Sequence, residues 1–402
     1  MSSQTVVSPS RSSTISFTLA YSTLTSITFS AVASAPTPIY RLYQVILGLT
    51  PLTVTLIFAV YSFTMIGAFL TLARLSDFVG RKPMILAALG LNAVALALFV
   101  FAGSAEALLA ARAAQGVATG IALATLGATI ADTAPLASPT LNSVTAFIGL
   151  TAGSLLAGAL VAYAPWPTRL VFGLLLAVTI VEMAALFFIR ETAPRKPGAW
   201  SVLRPNLAVP AAALGPMIRL FPLTLSGWAL GGFYLSLMPS LVVAATGIHS
   251  PLLGAAVVSA LTLTGGVSAL ASRRLEATAA VRFSALMLSV GIVLTLFAIE
   301  TGSPVGMFLG TIVAGVGFGP SYGASLRTLL PLATVRERAG LLSAYFVESY
   351  LAFALPAVFA GLAAQRFGLV RTALVYGSAL VVCAVATLLI ETSVGRAPRT
   401  TR

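Results

Sequence analysis

Ala73-Arg74-Leu75-Ser76-Asp77-Phe78-Val79-Gly80-Arg81-Lys82-Pro83 separates two apolar runs, residues 52–73 and 83–103. Each run is long enough to cross a hydrocarbon layer, which takes about 20 residues of helix. The connection is too short for a folded module, so the runs must be antiparallel neighbours joined by a tight turn. Asp77 lies where the second helix approaches its start, and the positive end of a helix dipole favours an acid there. Gly80 allows the bend, and Arg81 and Lys82 hold the turn on one side of a bilayer. An ordinary basic loop would explain Arg81 and Lys82 but not an acid and a glycine at these spacings.

Working outward, apolar runs punctuated by charge, Pro and Gly give spans at 15–36, 52–73, 83–103, 107–131, 142–164 and 169–189, and then at 218–245, 251–271, 283–301, 304–330, 339–364 and 369–390. The sequence therefore predicts an all-α membrane protein with twelve transmembrane helices. Of the 402 residues 58% are hydrophobic and 8% charged, against about 25% charged in a soluble domain; the mean hydropathy is +1.01. With an inner N-terminus, eighteen of the 23 basic residues fall in inner segments, four (Arg41, Arg169, Arg366, Arg371) in outer ones, and Arg112 within a span. That bias predicts a multi-pass protein of the cytoplasmic membrane with both termini cytoplasmic. The triplet Ala33-Ser34-Ala35 looks like a signal-peptidase site, but the segment before it is rich in hydroxyls, which favours a retained first helix with a polar inner face.

The hydrophilic segment Arg190–Arg204 falls between spans six and seven. It divides the chain into a six-helix bundle over 1–189, a cytoplasmic linker over 190–217 and a second six-helix bundle over 218–402. A repeat supports the division: Glu191-Thr192 recurs as Glu391-Thr392, and Arg74-Leu75 as Arg274-Leu275, each 200 residues on. Gly116 and Gly120 recur as Gly315 and Gly319, 199 residues on. Two parallel, pseudo-symmetric repeats are a transporter architecture with its substrate site near the midplane.

Several classes are disfavoured. The net charge of +13 sits in short patches between apolar runs, not on the continuous basic face that nucleic acid requires. Cys383 is the single cysteine and His249 the single histidine, so neither a disulfide framework nor a His-rich metal site is expected, and no cofactor is implied. No phosphate-binding loop of the G-x-x-x-x-G-K-[ST] type is present. A channel would be expected to show charge rings or a filter loop, and a receptor an extra soluble module.

The 73–83 loop resembles the signature of the major facilitator superfamily, G-x-L-x-D-x-x-G-R-K, at Leu75, Asp77, Gly80, Arg81 and Lys82, with Ala73 in place of the first glycine. The resemblance implies that Asp77, Gly80, Arg81 and Lys82 form a cytoplasmic gate, with Asp132 as the natural charge partner, that stabilises the outward-facing state. A second match in span four, Leu108, Arg112, Gln115, Gly116 and Gly120, implies a role for Arg112 in proton coupling or substrate orientation. Burying an arginine costs about 2.5–3.5 kcal/mol on insertion scales; snorkelling to the outer surface is the competing account. Gly149, Gly153 and Gly158 resemble the antiporter motif, with Ser154 where Pro is expected and Ala157 where Gly is. Small residues at that spacing also serve close helix packing. Pro36-Thr37-Pro38-Ile39-Tyr40 at the end of span one looks like the family too.

Glu348, near the middle of span eleven, is the leading proton-carrying acid and Glu182 in span six the runner-up, because a carboxylate at such depth is costly to keep ionised. A carboxyl group hydrogen-bonded to a neighbouring helix is the plainer alternative. The resemblance implies that spans one, four, seven and ten face a central path. Tyr21, Thr25, Thr28, Gln115, Trp228, Tyr234, Ser321 and Tyr322 are the expected wall residues. The function expected is proton-coupled export of a small organic, apolar or amphipathic solute by a monomeric, non-enzymatic secondary carrier. Proton-coupled or facilitated uptake is the alternative.

Overall fold

The structure, a computed structural model, describes residues 9–198, 203 and 205–396. Helices and short 3-10 turns make up all its regular elements. In chain order the α-helices are α1 (Pro9–Ser34), α2 (Pro36–Leu47), α3 (Pro51–Leu72), α4 (Ser76–Val79), α5 (Arg81–Phe101), α6 (Ala105–Thr133), α7 (Ser138–Tyr163) and α8 (Leu170–Ala185). They continue as α9 (Ala211–Ser236), α10 (Met238–Thr246), α11 (Pro251–Ala271), α12 (Ala277–Glu300), α13 (Pro304–Leu329), α14 (Arg338–Phe367) and α15 (Leu369–Arg396).

Among the described residues ten helices are long and apolar enough to cross a membrane, and α9 with α10, bent by 71°, makes eleven. The expected twelfth crossing is α1. It runs for 26 residues, but hydroxyls at Tyr21, Ser22, Thr23, Thr25, Ser26, Thr28 and Ser30 lower its apolarity. It packs against α6 and α7 inside the first bundle.

The repeat is written into the helix ends. Thr50 caps α3 by accepting from the Thr53 amide and Ser250 caps α11 by accepting from that of Leu253, each followed by a proline. Ser104 and Ser303 cap α6 and α13 in the same way. Each such cap contributes about 0.5–2 kcal/mol. Gly48 and Gly247 stop α2 and α10 at φ of 64° and 72°. Span one does not end at 36 as the sequence suggested: the chain breaks at Ala35 and continues as α2, with Pro36 and Pro38 in its first turn. Proline costs little there because the first amides of a helix have no intrahelical partner. The second half bends at the matching place, with Pro239 opening α10. Helix α9 starts at Ala211 rather than 218.

The first bundle is α1 with α6 and α7, α3 with α6, and α5 with α6 and α8; the second is built likewise from α9 and α11 to α15. The halves meet along α7 against α11 and α3 against α14. On the outside, Phe101, Phe187, Phe297 and Phe359 are largely exposed, a surface that only lipid would cover. Within the α7 motif, Gly149 and Gly153 lie on the backbone of α1 at Ile27 and Ala31, while Gly158 lies on Ala255 of α11. We call the end carrying the 73–83 loop the basic end and the opposite one the far end.

Candidate functional site

Between the halves runs a cavity of about 840 Å³, reaching from Arg112 and Leu235, toward the far ends of α6 and α9, to Thr140, Arg273 and Arg327 at the basic end. Above it the far end is shut. Thr37 of α2 donates to the Leu235 carbonyl of α9 at 2.8 Å, and Ser240 of α10 donates to Gln44 of α2 at 2.8 Å. Lower down, Thr151 and Thr262 share a hydrogen bond of 2.7 Å across the α7–α11 seam.

Trp228, Tyr234, Ser321 and Tyr322 line this cavity. The Trp228 ring centroid lies 4.9 Å from that of Tyr350, 5.9 Å from Phe353 and 6.1 Å from Tyr322. Phe346, Tyr350 and Phe353 of α14 complete the aromatic wall. The sequence reading passed over them, although their i, i+4, i+7 spacing marks a single helix face.

Four expected wall residues lie elsewhere. Helix α1 presents Ser26, Ser30 and Ala33 to the cavity, whereas Tyr21, Thr25 and Thr28 form a parallel stripe turned toward α8. Tyr21 donates to the Glu182 backbone carbonyl at 3.0 Å and Thr28 to its Oε1 at 2.6 Å. Periodicity showed which residues share a face but not where that face points. Glu182 is thus buried between α8 and α1, away from the central path. Gln115 is fully buried behind the wall: its Nε2 donates to the Val32 carbonyl at 2.8 Å, and its Oε1 accepts from Arg112 at 2.6 Å.

Arg112 does line the cavity, yet it is only 1% exposed, so it does not snorkel. Its Nε and Nη2 donate to the Tyr40 hydroxyl at 2.8 and 2.5 Å, and Nη1 donates to the Ala33 carbonyl at 3.1 Å. The guanidinium carbon stands 5.1 Å from the Tyr61 ring centre. Among the described residues no carboxylate forms an ion pair with it. Glu348, half-buried, does not line the cavity either. Its carboxylate lies beside Thr224 of α9 and Tyr345, with Oε1 unpartnered.

At the basic end the residues expected to form a gate converge. Arg81 donates from Nη1 to Asp77 at 2.6 Å and to Ser76 at 2.6 Å, and from Nε to Asp132 at 3.2 Å. Lys82 Nζ reaches the Ile189 carbonyl at 2.9 Å. Glu191, which the sequence offered only as part of the repeat, caps α5 by accepting from the amides of Arg81 at 2.7 Å and Lys82 at 3.0 Å. In the second half, where Ala277 and Ala280 stand at the positions of Asp77 and Gly80, Glu391 instead pairs with Arg219 at 3.0 Å.

Gly80, at φ 104° and ψ 156°, occupies a region reserved for glycine, where another residue costs about 1–3 kcal/mol. A Cβ there would stand 2.8 Å from Glu191 Oε2. We expect Gly80→Ala to displace Glu191 from its cap and lower the melting temperature in detergent by several degrees. An unchanged melting temperature would show that the cap contributes nothing.

Two helical halves joined over one end of a cavity and parted at the other are the build of an alternating-access membrane transporter. The chain belongs to the Major Facilitator Superfamily, which matches residues 19–347, and it is a transporter rather than an enzyme. Its fold is similar to that of the nucleoside transporter NupG, at 14% identity and a TM-score of 0.74, over 93% of this chain and 99% of that one. A bacterial homologue of the human lysosomal transporter Spinster, in an inward-facing and unoccupied conformation, gives 15% identity and a TM-score of 0.75, over 94% and 97%. The peptide transporter POT, in complex with alafosfalin, gives 17% and 0.71, over 94% of each chain. A comparison with curated proteins finds no match.

Proposed function

We propose that this chain exports a small organic, apolar or amphipathic solute across the cytoplasmic membrane by alternating access, driven by protons. The observation that carries the reading is the cavity itself, large enough for such a solute and walled mainly by aromatic and aliphatic side chains. Taking the basic end as cytoplasmic from the loop charges, the cavity faces the cytoplasm, where an exporter loads. The chain then works as a monomer with both termini inside. Domain limits near 189 and 218 make the two halves the rocking units. Asp77, Gly80, Arg81, Lys82 and Asp132 serve as the gate at the loading end, their hydrogen-bond partners lying in the first half and the start of the linker in this state. Glu348 and Glu182, carboxyl groups within the spans, are the groups that exchange protons, and Arg112 links that exchange to the cavity.

One observation favours uptake as a second reading. The antiporter-like glycines Gly149 and Gly153 are occupied in packing on α1, and Ser154 replaces the motif's proline.

Purified protein in liposomes with an imposed pH gradient, offered a panel of organic compounds, tests both. Export predicts solute movement opposite to the proton flow. Movement with the protons selects uptake, and flux indifferent to the gradient rejects coupling. In the same assay Glu348→Gln should flatten the pH profile of transport; an unaltered profile would place the proton carrier elsewhere.

A further inference from the structure

The charges facing the cavity all have one sign. Its lining contains Arg112 at the closed head and Arg273 and Arg327 at the mouth, with no Asp or Glu among the described lining residues. The positive-inside bias accounts for the two mouth arginines. It does not account for a buried guanidinium toward the far end of α6 with no carboxylate partner. The five N–H groups of Arg112 make four bonds, to Tyr40, Ala33 and Gln115. One Nη2 hydrogen is left over on a side chain that borders the cavity. Arg327 also keeps its Nε without a partner at the mouth. Across from Arg112 stands the aromatic wall of Trp228, Tyr350 and Phe353.

An aromatic wall by itself could attract a cation through ring faces. Three arginines and no acid would repel one, whereas basic walls raise the local concentration of anions. We propose that the cavity takes an aromatic organic monoanion of the carboxylate type, its ring against Trp228 and Tyr350 and its charge compensated by Arg112. This rests on the cavity being the transport site. Arg273 and Arg327 then draw the anion in, and Arg112 receives it at the head.

The test is calorimetric titration of the full chain in detergent, at neutral pH and low salt, with three probes of one shape: 2-naphthoate, 2-naphthamide and 2-naphthylmethylammonium. The carboxylate should bind at least tenfold tighter than the amide, and the ammonium weakest. Arg112→Gln should erase the preference for carboxylate over amide, and Arg112→Lys should restore part of it. Trp228→Ala should weaken all three. Equal binding of carboxylate and amide by the unaltered protein, tightest binding of the ammonium, or no binding of the carboxylate overturns the proposal without recourse to any variant. Vesicle flux separates this from the coupling reading. Gradient-driven movement of the amide, with no preference for the carboxylate, leaves the carrier and removes the anion site. Preferential carboxylate binding with gradient-indifferent flux does the reverse.

Discussion

Replacing Arg112 by Ala should remove transport, lowering flux at least a hundredfold, while the protein still inserts in the membrane. The side chain ties three elements together at the elbow between α1 and α2: it holds the Ala33 carbonyl, the Tyr40 hydroxyl and Gln115 of its own helix. Without it, acceptors in a nearly solvent-free site lose their donor, at about 1–3 kcal/mol for each one left unpaired. The elbow then has no fixed shape and the cavity no charge at its head. Arg112→Lys keeps the charge but cannot span Tyr40 and Gln115 together, so it should retain a minor fraction of the flux. Flux assays and melting curves on both variants check this, and wild-type flux from Arg112→Ala would remove the residue from any account of transport.

Gly158→Leu should jam the carrier. Gly158 of α7 meets Ala255 of α11 at the far end of the seam between halves, where even a Cβ would overlap that of Ala255. Overpacking of this kind costs about 1–3 kcal/mol, which shifts a two-state equilibrium by a factor of roughly 5–150. The state closed at the far end bears that cost, so the variant rests with the far end open and transports at least tenfold more slowly. Cys383 is the sole native cysteine, so a Cys383→Ser background allows clean labelling. Ser154→Cys in that background reports the change, because Ser154 is fully buried at this seam. Thiol reagents added from the far side should modify it faster in the leucine variant than in the Gly158 parent. Persisting protection together with normal flux would contradict the mechanism.

What the sequence made legible, and what it hid, follows from distance along the chain. The charge cluster of the 73–83 turn could be read because Asp77, Gly80 and Arg81 lie within five residues of one another, and Arg112 stood out because charge in an apolar run is conspicuous. The capping acid Glu191 bonds to Arg81 from 110 positions away, and only its recurrence as Glu391 hinted at it. On α1 the hydroxyls were expected on one inner face at Tyr21, Thr25 and Thr28, but they fall on two stripes, and only the packing of α8 with its Glu182 decides which one meets the cavity. Pro36 and Pro38 read as the end of a span because proline at the first turn of a new helix looks the same in sequence as proline after an old one. The aromatic stripe of α14 was hidden for another reason: in a membrane helix Phe and Tyr face lipid as readily as a cavity.

The clasp formed by Thr37 with Leu235 and Ser240 with Gln44 is made of neutral groups, and none of the three ion pairs among the described residues crosses between the halves. Each such bond is worth about 0.5–1.5 kcal/mol net, so the two together make a weak latch. Nothing in that clasp titrates near neutrality, and nothing in it is weakened by dissolved ions. The far-end clasp is therefore indifferent to acidity and salinity, and any sensitivity of the whole cycle to either must originate deeper in the protein.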